Sequence, residues 1–448
     1  MGNYFNNSKL MRCLIKLLSI LILLCLNLQC EKSAERKRRE RGGIQLTYWC
    51  AAIQQEINLA EELVKNWNET HDTVKIKLQP LPESKSSEEV LLAAIAGGTT
   101  PDLCSNMWPG AMDDYVSAGG LLRIDDYPFL ANYLEERVPP DILQNSRSPD
   151  GYLYQIPWKT NPLMMMYNVN MFKEVGLDSI LRTYSEHYRA GKKLTQDTDG
   201  DGRVDQWLGY RDTNPIWWQR LFDFYPCYIA ASAGKTLVRD AEINLDNNTT
   251  VDVLEFFRGL YKKGYYPVTT FKGDQFIEEK IATQITGPWN VSHVRKFMPE
   301  GFEFDVMPIP VPDDHKGPVY TSGDYKNISI FSDTKYPEAA IRFATYLISK
   351  KADLRLLEMT NQIPIRKDIL QDEAFSAYIE SHPIITKFIK QSRYTRGVDG
   401  IPDLKEIFDA ISQEYEACAI YNRLTPEEAA ENMEKQAKVI IRWNRSRE

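Results

Sequence analysis

The chain has 448 residues, 43% of them apolar and 26% charged, which excludes wholesale disorder and leaves room for two or three cored domains. Its 54 basic and 62 acidic residues give a net charge of −8, and no basic footprint for nucleic acid is present. Seven Cys are too few for a disulfide scaffold, and five His without paired spacing argue against a zinc enzyme.

Residues 1–29 read as an export signal. Lys9, Arg12 and Lys16 precede a nearly unbroken apolar run from Leu17 to Leu28. Such a run covers about 18 Å as a helix, short of the ~20 residues that a bilayer core requires. Cys30 closes the segment LNLQC, which resembles a bacterial lipoprotein processing site and marks Cys30 as the expected lipid anchor. Residues 30–43 then read as a solvated tether, with six bases and three acids between positions 31 and 41. From Gly42 onward, 45 bases against 59 acids leave the folded part at −14.

The folded part opens with an alternating, strand-forming segment, Gln45 to Trp49. Asn58 to Asn68 places Leu59, Leu63, Val64 and Trp67 on one helical face, so Trp67 reads as core. Val74 to Leu78 alternates again. Ser87 is a candidate cap for a helix running to Ile95 and ended by Gly97-Gly98, and Pro101 to Cys104 starts a third strand. Strand, helix, strand, helix, strand predicts parallel pairing with right-handed crossovers. Ligands in such sheets sit beyond the C-terminal strand ends, here near Trp49 and at Asn106 to Trp108. Cys50 and Cys104 end neighbouring strands and read as packed thiols.

Further along, YLYQIPW from Tyr152 and LMMMYN from Leu163 alternate as strands. Helices are expected at Val251–Lys262 and Pro337–Ile348; in the second, Ala340, Phe343, Ala344, Leu347 and Ile348 form one stripe. A capping box, Thr425-Pro426 with Glu428, starts the last helix, whose Trp443 reads as packing.

Between these lies the sharpest local signal, Asp197, Asp199, Asp201 and Asp205 with Gly202 at the turn. The spacing matches positions 1, 3, 5, 6 and 9 of a calcium loop, and Arg203 supplies its backbone carbonyl at position 7. Position 12 is Leu208, so the bidentate Glu of an EF-hand is missing. Four carboxylates in nine residues repel without a cation. A structural Ca2+ is expected.

Several segments together carry a resemblance: LTYWC, PDLCSNMWPGAMDDYVSAGGLLRIDDY, YQIPWKTNPLMMMYNVNMFKEVGL, ITGPWNVSHVRKF, MPIPVP, and KYPEAAIRFATYLISKKADLRLLEMTNQIPIRKDIL. In that order they resemble the sugar-binding proteins of bacterial ABC importers, the class that includes maltose-binding protein. The resemblance implies an α/β, two-lobed fold, each lobe a mainly parallel sheet flanked by helices and joined by a multi-crossing hinge. By analogy, residues 44–160 and 323–362 form the N-terminal lobe, and 161–322 and 363–448 the C-terminal lobe. It also implies a monomer on the outer side of the inner membrane, whose closure on a sugar presents that sugar to an ABC permease. Some family members that bind polymeric sugars carry a similar, structural calcium loop.

A pyranose has an apolar C–H face, which aromatic rings cover, and a polar rim needing hydrogen bonds. Candidate rings are Trp49 and Trp108 at strand ends and Trp158 beside the first crossing. Trp217 or Trp218 falls where the family presents sugar platforms, and Trp289 in GPWN follows the strand ATQIT. Candidate rim residues are Gln54, Gln55, Asn106, Thr160, Asn161, Asp324, Tyr325 and Arg396. Lys159, Arg211 and Arg396 leave room for a charged ligand. No catalytic motif is present, so no enzyme is expected. The alternatives are a lipid-anchored glycan-capture protein without a transporter and a secreted glycoside hydrolase, which would need two facing carboxylates.

Overall fold

Strand β1 (Ile44–Cys50) buries Leu46, Tyr48 and Cys50 on one face, as its alternation requires. The computed structural model describes residues 43–82, 86–213, 217–239, 242–367, 369–397, 401 and 404–445. The export signal, Cys30 and the tether up to residue 42 lie outside the described residues.

Helix α1 (Gln54–Thr70) carries the chain from β1 to β2 (Val74–Pro80), and α2 (Ser87–Gly97) carries it on to β3 (Leu103–Met107). Both β2 and β3 pair with β1 in parallel. The indole N–H of Trp67 donates to the Val74 carbonyl at 2.9 Å, locking α1 onto its sheet. The cap of α2 is Ser86, one residue before the position read from the sequence, and its side chain accepts from the Glu89 N–H. Trp49 and Cys104 are register partners, so Cys50 faces the other side of the sheet. The two thiols lie in different cores and stay free.

The first sheet is completed by β4 (Ile156–Thr160) and by two strands from far along the chain, β10 (Lys326–Ile330) and β11 (Ile363–Pro364). Its order is β11-β4-β10-β3-β1-β2. The second sheet holds β5 (Met164–Asn168), β6 (Trp207–Gly209), β7 (Ile281–Thr286) and β8 (Phe304–Met307), ordered β8-β5-β7-β6. Both sheets are mixed and not mainly parallel: β4, β10 and β11 pair antiparallel, as do β5 with β7 and with β8. The reason is the crossing. A strand that leaves one lobe and a strand that returns to it run in opposite senses. The sheet also runs past residue 362, because β11 pairs with β4.

Each sheet is buried on both faces. Tyr48, Trp67, Ile328 and helix α7 (Pro337–Leu347) fill one side of the first, and Leu91, Cys104, Met107 and Tyr115 the other. The predicted stripe of α7 is buried throughout. Over the second sheet pack α3 (Tyr184–Leu194), α4 (Trp217–Ala231), α5 (Asn247–Lys262), α9 (Leu404–Tyr415) and α10 (Pro426–Arg445). Asp246 caps α5, which starts at Asn247, four residues before the expected start. The capping box of α10 forms as read, with the Glu428 N–H donating to Thr425 Oγ1 at 3.2 Å and the Thr425 N–H to Glu428 Oε2 at 2.8 Å. Trp443, read as packing, is 61% exposed. His187 on α3 is buried, and desolvation pulls its pKa down to about 4, so the ring is neutral and Nδ1–H donates to the Thr183 carbonyl. Among the described residues no helix is long and apolar enough to cross a membrane.

Candidate functional site

Three chain segments run side by side between the sheets. The Leu163 N–H donates to the Ser322 carbonyl, the Asp324 N–H to the Asn161 carbonyl, and the Ile365 N–H to the Trp158 carbonyl. Asn161 sits at their junction, fully buried, its Nδ2 donating to Gln362 Oε1 at 3.0 Å. A Cβ at Gly323 would lie 2.4 Å from the Thr395 methyl, so only glycine lets strand β9 (Thr321–Ser322) lie beside β12 (Thr395–Arg396).

Beside this junction is a buried polar cluster. Lys159 Nζ donates to Glu56 Oε1 at 2.6 Å, and Gln362 Nε2 donates to the same oxygen at 3.0 Å. Desolvation pulls the Lys159 pKa down, and the Glu56 carboxylate opposes that pull. Asp324 pairs with Lys326 at 2.8 Å. Asp324 and Lys159 were expected at the ligand, but the pairing of Lys159 with Glu56 was not expected, although its signals were present. Glu56 is on the same face as Leu59, Ala60 and Leu63, an acid inside an apolar stripe, and Lys159 interrupts a strand buried at every position. A charge in such a place requires a partner.

Four of the expected ligand contacts are buried in this structure. Trp158 is 4% exposed and Tyr325 7%, both packed in the core of the first sheet. Strand β4 is flanked by β10 and β11 and is buried at all five positions. Thr160 and Asn161 are buried in the crossing itself.

The strand ends fare differently. Trp49 is half-buried. Asn106 takes φ 61° where β3 carries one extra residue against β10: Cys104 pairs with Ser329 but Met107 with Asn327. This is a β-bulge, a device that re-aims side chains next to sites. Gln54 is exposed and bonded to Asn58 of its own helix, and Gln55 is half-buried. Trp108 is half-buried and packs against the cores of both sheets.

On the second lobe, Trp289 opens α6 (Trp289–Phe297) directly after β7, past its C-terminal end. Its ring is half-buried, edge-on to Phe222 with centroids 6.4 Å apart. A Cβ on Gly287 would lie 2.0 Å from that ring, so the indole rests against bare backbone. The backbones of Trp217 and Trp218 begin α4, and their side chains lie outside the described residues. Arg211 ties α4 to the strand before Trp289, donating to Asp223 Oδ1 at 2.6 Å and to the Ile285 carbonyl at 3.5 Å. Arg396 lies over Tyr320, 4.2 Å from the ring centroid, and its Nε donates to the Gly234 carbonyl. All three cations considered for a charged ligand, Lys159, Arg211 and Arg396, have protein partners.

The acidic loop folds around its own carboxylates. Asp197 accepts from the N–H groups of Gly200 and Gly202, both at 2.7 Å, Asp199 from Asp201, and Asp201 from Arg203. Asp205 accepts from Thr198 through both its N–H and hydroxyl, which holds its pKa below the usual value. Bonds between Gln196 and Gln206 close the loop at its base. One carboxylate oxygen each from Asp197, Asp199 and Asp205 lie within 4.8 Å of one another, and Asp201 is outside that group. Such a cluster of hard oxygens suits Ca2+.

Comparison with known proteins adds to this geometry. The family model described as bacterial extracellular solute-binding protein matches residues 52–353. The galactooligosaccharide-binding protein of Bacillus subtilis is 24% identical over 97% of this chain and 98% of its own length. The arabinooligosaccharide-binding protein of Halalkalibacterium halodurans is 24% identical over 75% of this chain and 74% of its own. Among solved structures, the maltose/maltodextrin-binding domain from Bdellovibrio bacteriovorus bound to maltotriose superposes with a TM-score of 0.71 at 20% identity. That match covers 89% of this chain and the whole of the other.

Proposed function

The chain belongs to the bacterial extracellular solute-binding proteins, and from that premise we propose that it captures an uncharged oligosaccharide between its lobes for an ABC importer. Closure is a population shift, favoured because the ligand contacts both lobes. What carries the sugar reading is Trp289, a half-buried ring held against Gly287 at a strand end. The pairing of Lys159 with Glu56 and of Arg211 with Asp223 disfavours an anionic ligand at those two positions.

Chemistry on the ligand is not part of this reading. Three acids that could approach the cleft are committed to partners within the protein. Glu56 is paired with Lys159 and Asp324 with Lys326, while Asp102 accepts from the Thr47 N–H and the Thr334 hydroxyl.

Truncating a stacking ring removes apolar cover worth roughly 1–3 kcal/mol. Trp289→Ala is expected to weaken sugar binding about 5–150-fold with the melting temperature nearly unchanged. Calorimetry against galactooligosaccharides, arabinooligosaccharides and maltotriose checks this. If the parent binds one of these and the variant binds it equally well, Trp289 is not the platform.

The loop at 197–205 holds a structural Ca2+ in this proposal, through Asp197, Asp199 and Asp205, with Asp201 and the Arg203 carbonyl beside them. Cys30 carries the lipid anchor, which the apolar run, the Cys and the charged tether support. Intact mass of protein extracted from the envelope is expected to show an acylated N-terminal Cys30. A mature form beginning at another residue would sink the anchor.

A further inference from the structure

Two residues past β6, a largely buried charge pair joins α4 to the end of β7. Gly209 is the register partner of Thr283 on β7, so Arg211 lies level with Ile285, whose carbonyl it reaches at 3.5 Å. The same guanidinium donates twice to Asp223 Oδ1 of α4, from Nε at 3.0 Å and from Nη2 at 2.6 Å. Asp223 is buried, and its other oxygen accepts from the Tyr415 hydroxyl of α9 at 3.5 Å. Next to Asp223 on the helix is Phe222, whose ring meets Trp289 edge-on, at 70° and 6.4 Å between centroids. Pro226 lies inside α4 and offers no N–H to the turn that carries Phe222 and Asp223, so side chains do more to fix that turn.

We infer that Arg211 and Asp223 are positioning residues for the sugar site: they fix the rotation of α4 against the end of β7, hold Phe222 against Trp289, and so set affinity without touching the sugar. The inference rests on the reading of Trp289 as the platform. Adjacent residues on a helix point ~100° apart, so a bond that holds Asp223 also sets where Phe222 points. A ring ~6 Å from the helix axis moves ~2 Å when the helix turns by ~20°. A binding group ~1 Å out of place already loses much of its effect. Trp289 rests against Gly287 of its own segment and against Phe222 of α4, and of these two contacts the second moves when α4 turns. A buried carboxylate is also a poor way to fill a core, since apolar residues of similar volume pack without its desolvation cost. What Asp223 adds is a directional bond.

The first readout needs no sugar. In protein labelled with 5-fluorotryptophan, the fluorine resonance missing from Trp289→Phe belongs to Trp289. Arg211→Lys, which keeps the charge but not the planar fork, and Asp223→Asn are each expected to shift that resonance. A pair that only stabilises the lobe would lower the melting temperature in both variants and leave the resonance in place. Asp223→Asn strands the guanidinium and can prevent folding, in which case Arg211→Lys carries the test alone. An unmoved resonance in folded Arg211→Lys overturns the inference. The second readout is calorimetry with whichever of galactooligosaccharides, arabinooligosaccharides or maltotriose the parent binds. Arg211→Lys is expected to weaken binding about two- to ten-fold, within the range of residues coupled through contact. In a Trp289→Ala background the same change is expected to cost almost nothing more. Equal losses on both backgrounds overturn the inference, because Arg211 would then act by another route. If Trp289→Ala itself binds like the parent, the failure lies with the platform reading, and the resonance still reports whether the pair places the ring.

Discussion

Replacing Asp353 with alanine is expected to lower the unfolding free energy by about 3–5 kcal/mol, because it strands a buried guanidinium. Asp353 lies on α8 (Lys350–Thr360) with its side chain fully buried, and the Arg137 side chain is only 1% exposed. The two are joined at 3.0 Å, and Arg366 adds a second bond to the same carboxylate at 3.0 Å. Arg137 also donates to the carbonyls of Pro157 at 2.7 Å and Trp158 at 3.1 Å. It therefore holds the strand by which the chain leaves the first lobe. With the carboxylate gone, the guanidinium keeps those carbonyls but loses its counter-charge. Joint replacement, Arg137→Met with Asp353→Leu, removes both fully buried charges but also takes the counter-charge from Arg366 and the donor from two carbonyls, so it is expected to remain destabilising. Denaturant titration reads both. A loss below about 1 kcal/mol for Asp353→Ala would mean that water reaches the pair and screens it.

Calcium is expected to be the second large contribution. A ligand that binds only the folded state adds about 2.7 kcal/mol at a hundred times its dissociation constant. For a lobe of this size that raises the melting temperature by about 5–10 °C over protein in chelator. Asp199→Ala is the informative variant, because within the loop Asp199 accepts only from the Asp201 N–H. Asp197 organises the turn through two glycine N–H groups, so its removal would collapse the loop whether or not an ion is present. Gly200 and Gly202 take φ values of 78° and 89°, which lets the backbone wrap inward with little strain. Equal melting temperatures for the parent in calcium and in chelator would show that the loop needs no ion.

The fold could be read from the chain in its local parts. The stripe of α7, the capping box of α10 and the β1-α1-β2 crossover all formed as their periodicity required, because amphipathic patterns and caps are decided within a few residues. Strand direction in the completed sheets could not be read that way. It depends on β10 and β11, whose pairing with β4 no local pattern announces. The same long-range pairing explains the burial of Trp158. Its neighbours in sequence suggested a crossing, and its neighbours in space made it core. Trp67 was read correctly because the apolar stripe that turns it inward lies on its own helix. The roles of Glu56, Lys159 and Arg137 went unread because a buried ion pair shows itself only when both partners are in place.

The order in which the first sheet acquires its strands has a consequence for how the chain reaches its folded state. Strand β1 begins at residue 44, yet the sheet is complete only at residue 364. Until β10 arrives, β3 and β4 each lack the neighbour that lies between them, and the face that α7 covers stays open to water. A partly synthesised chain therefore has no finished lobe to settle into. Closing so long a loop is entropically slow, and the unpaired strands stay available to other chains meanwhile. For an exported polypeptide that delay is an advantage, since a chain that cannot fold early is still thread-like when it meets the membrane. Its cost falls after translocation, when exposed strands β3 and β4 must find β10 before they find each other's copies.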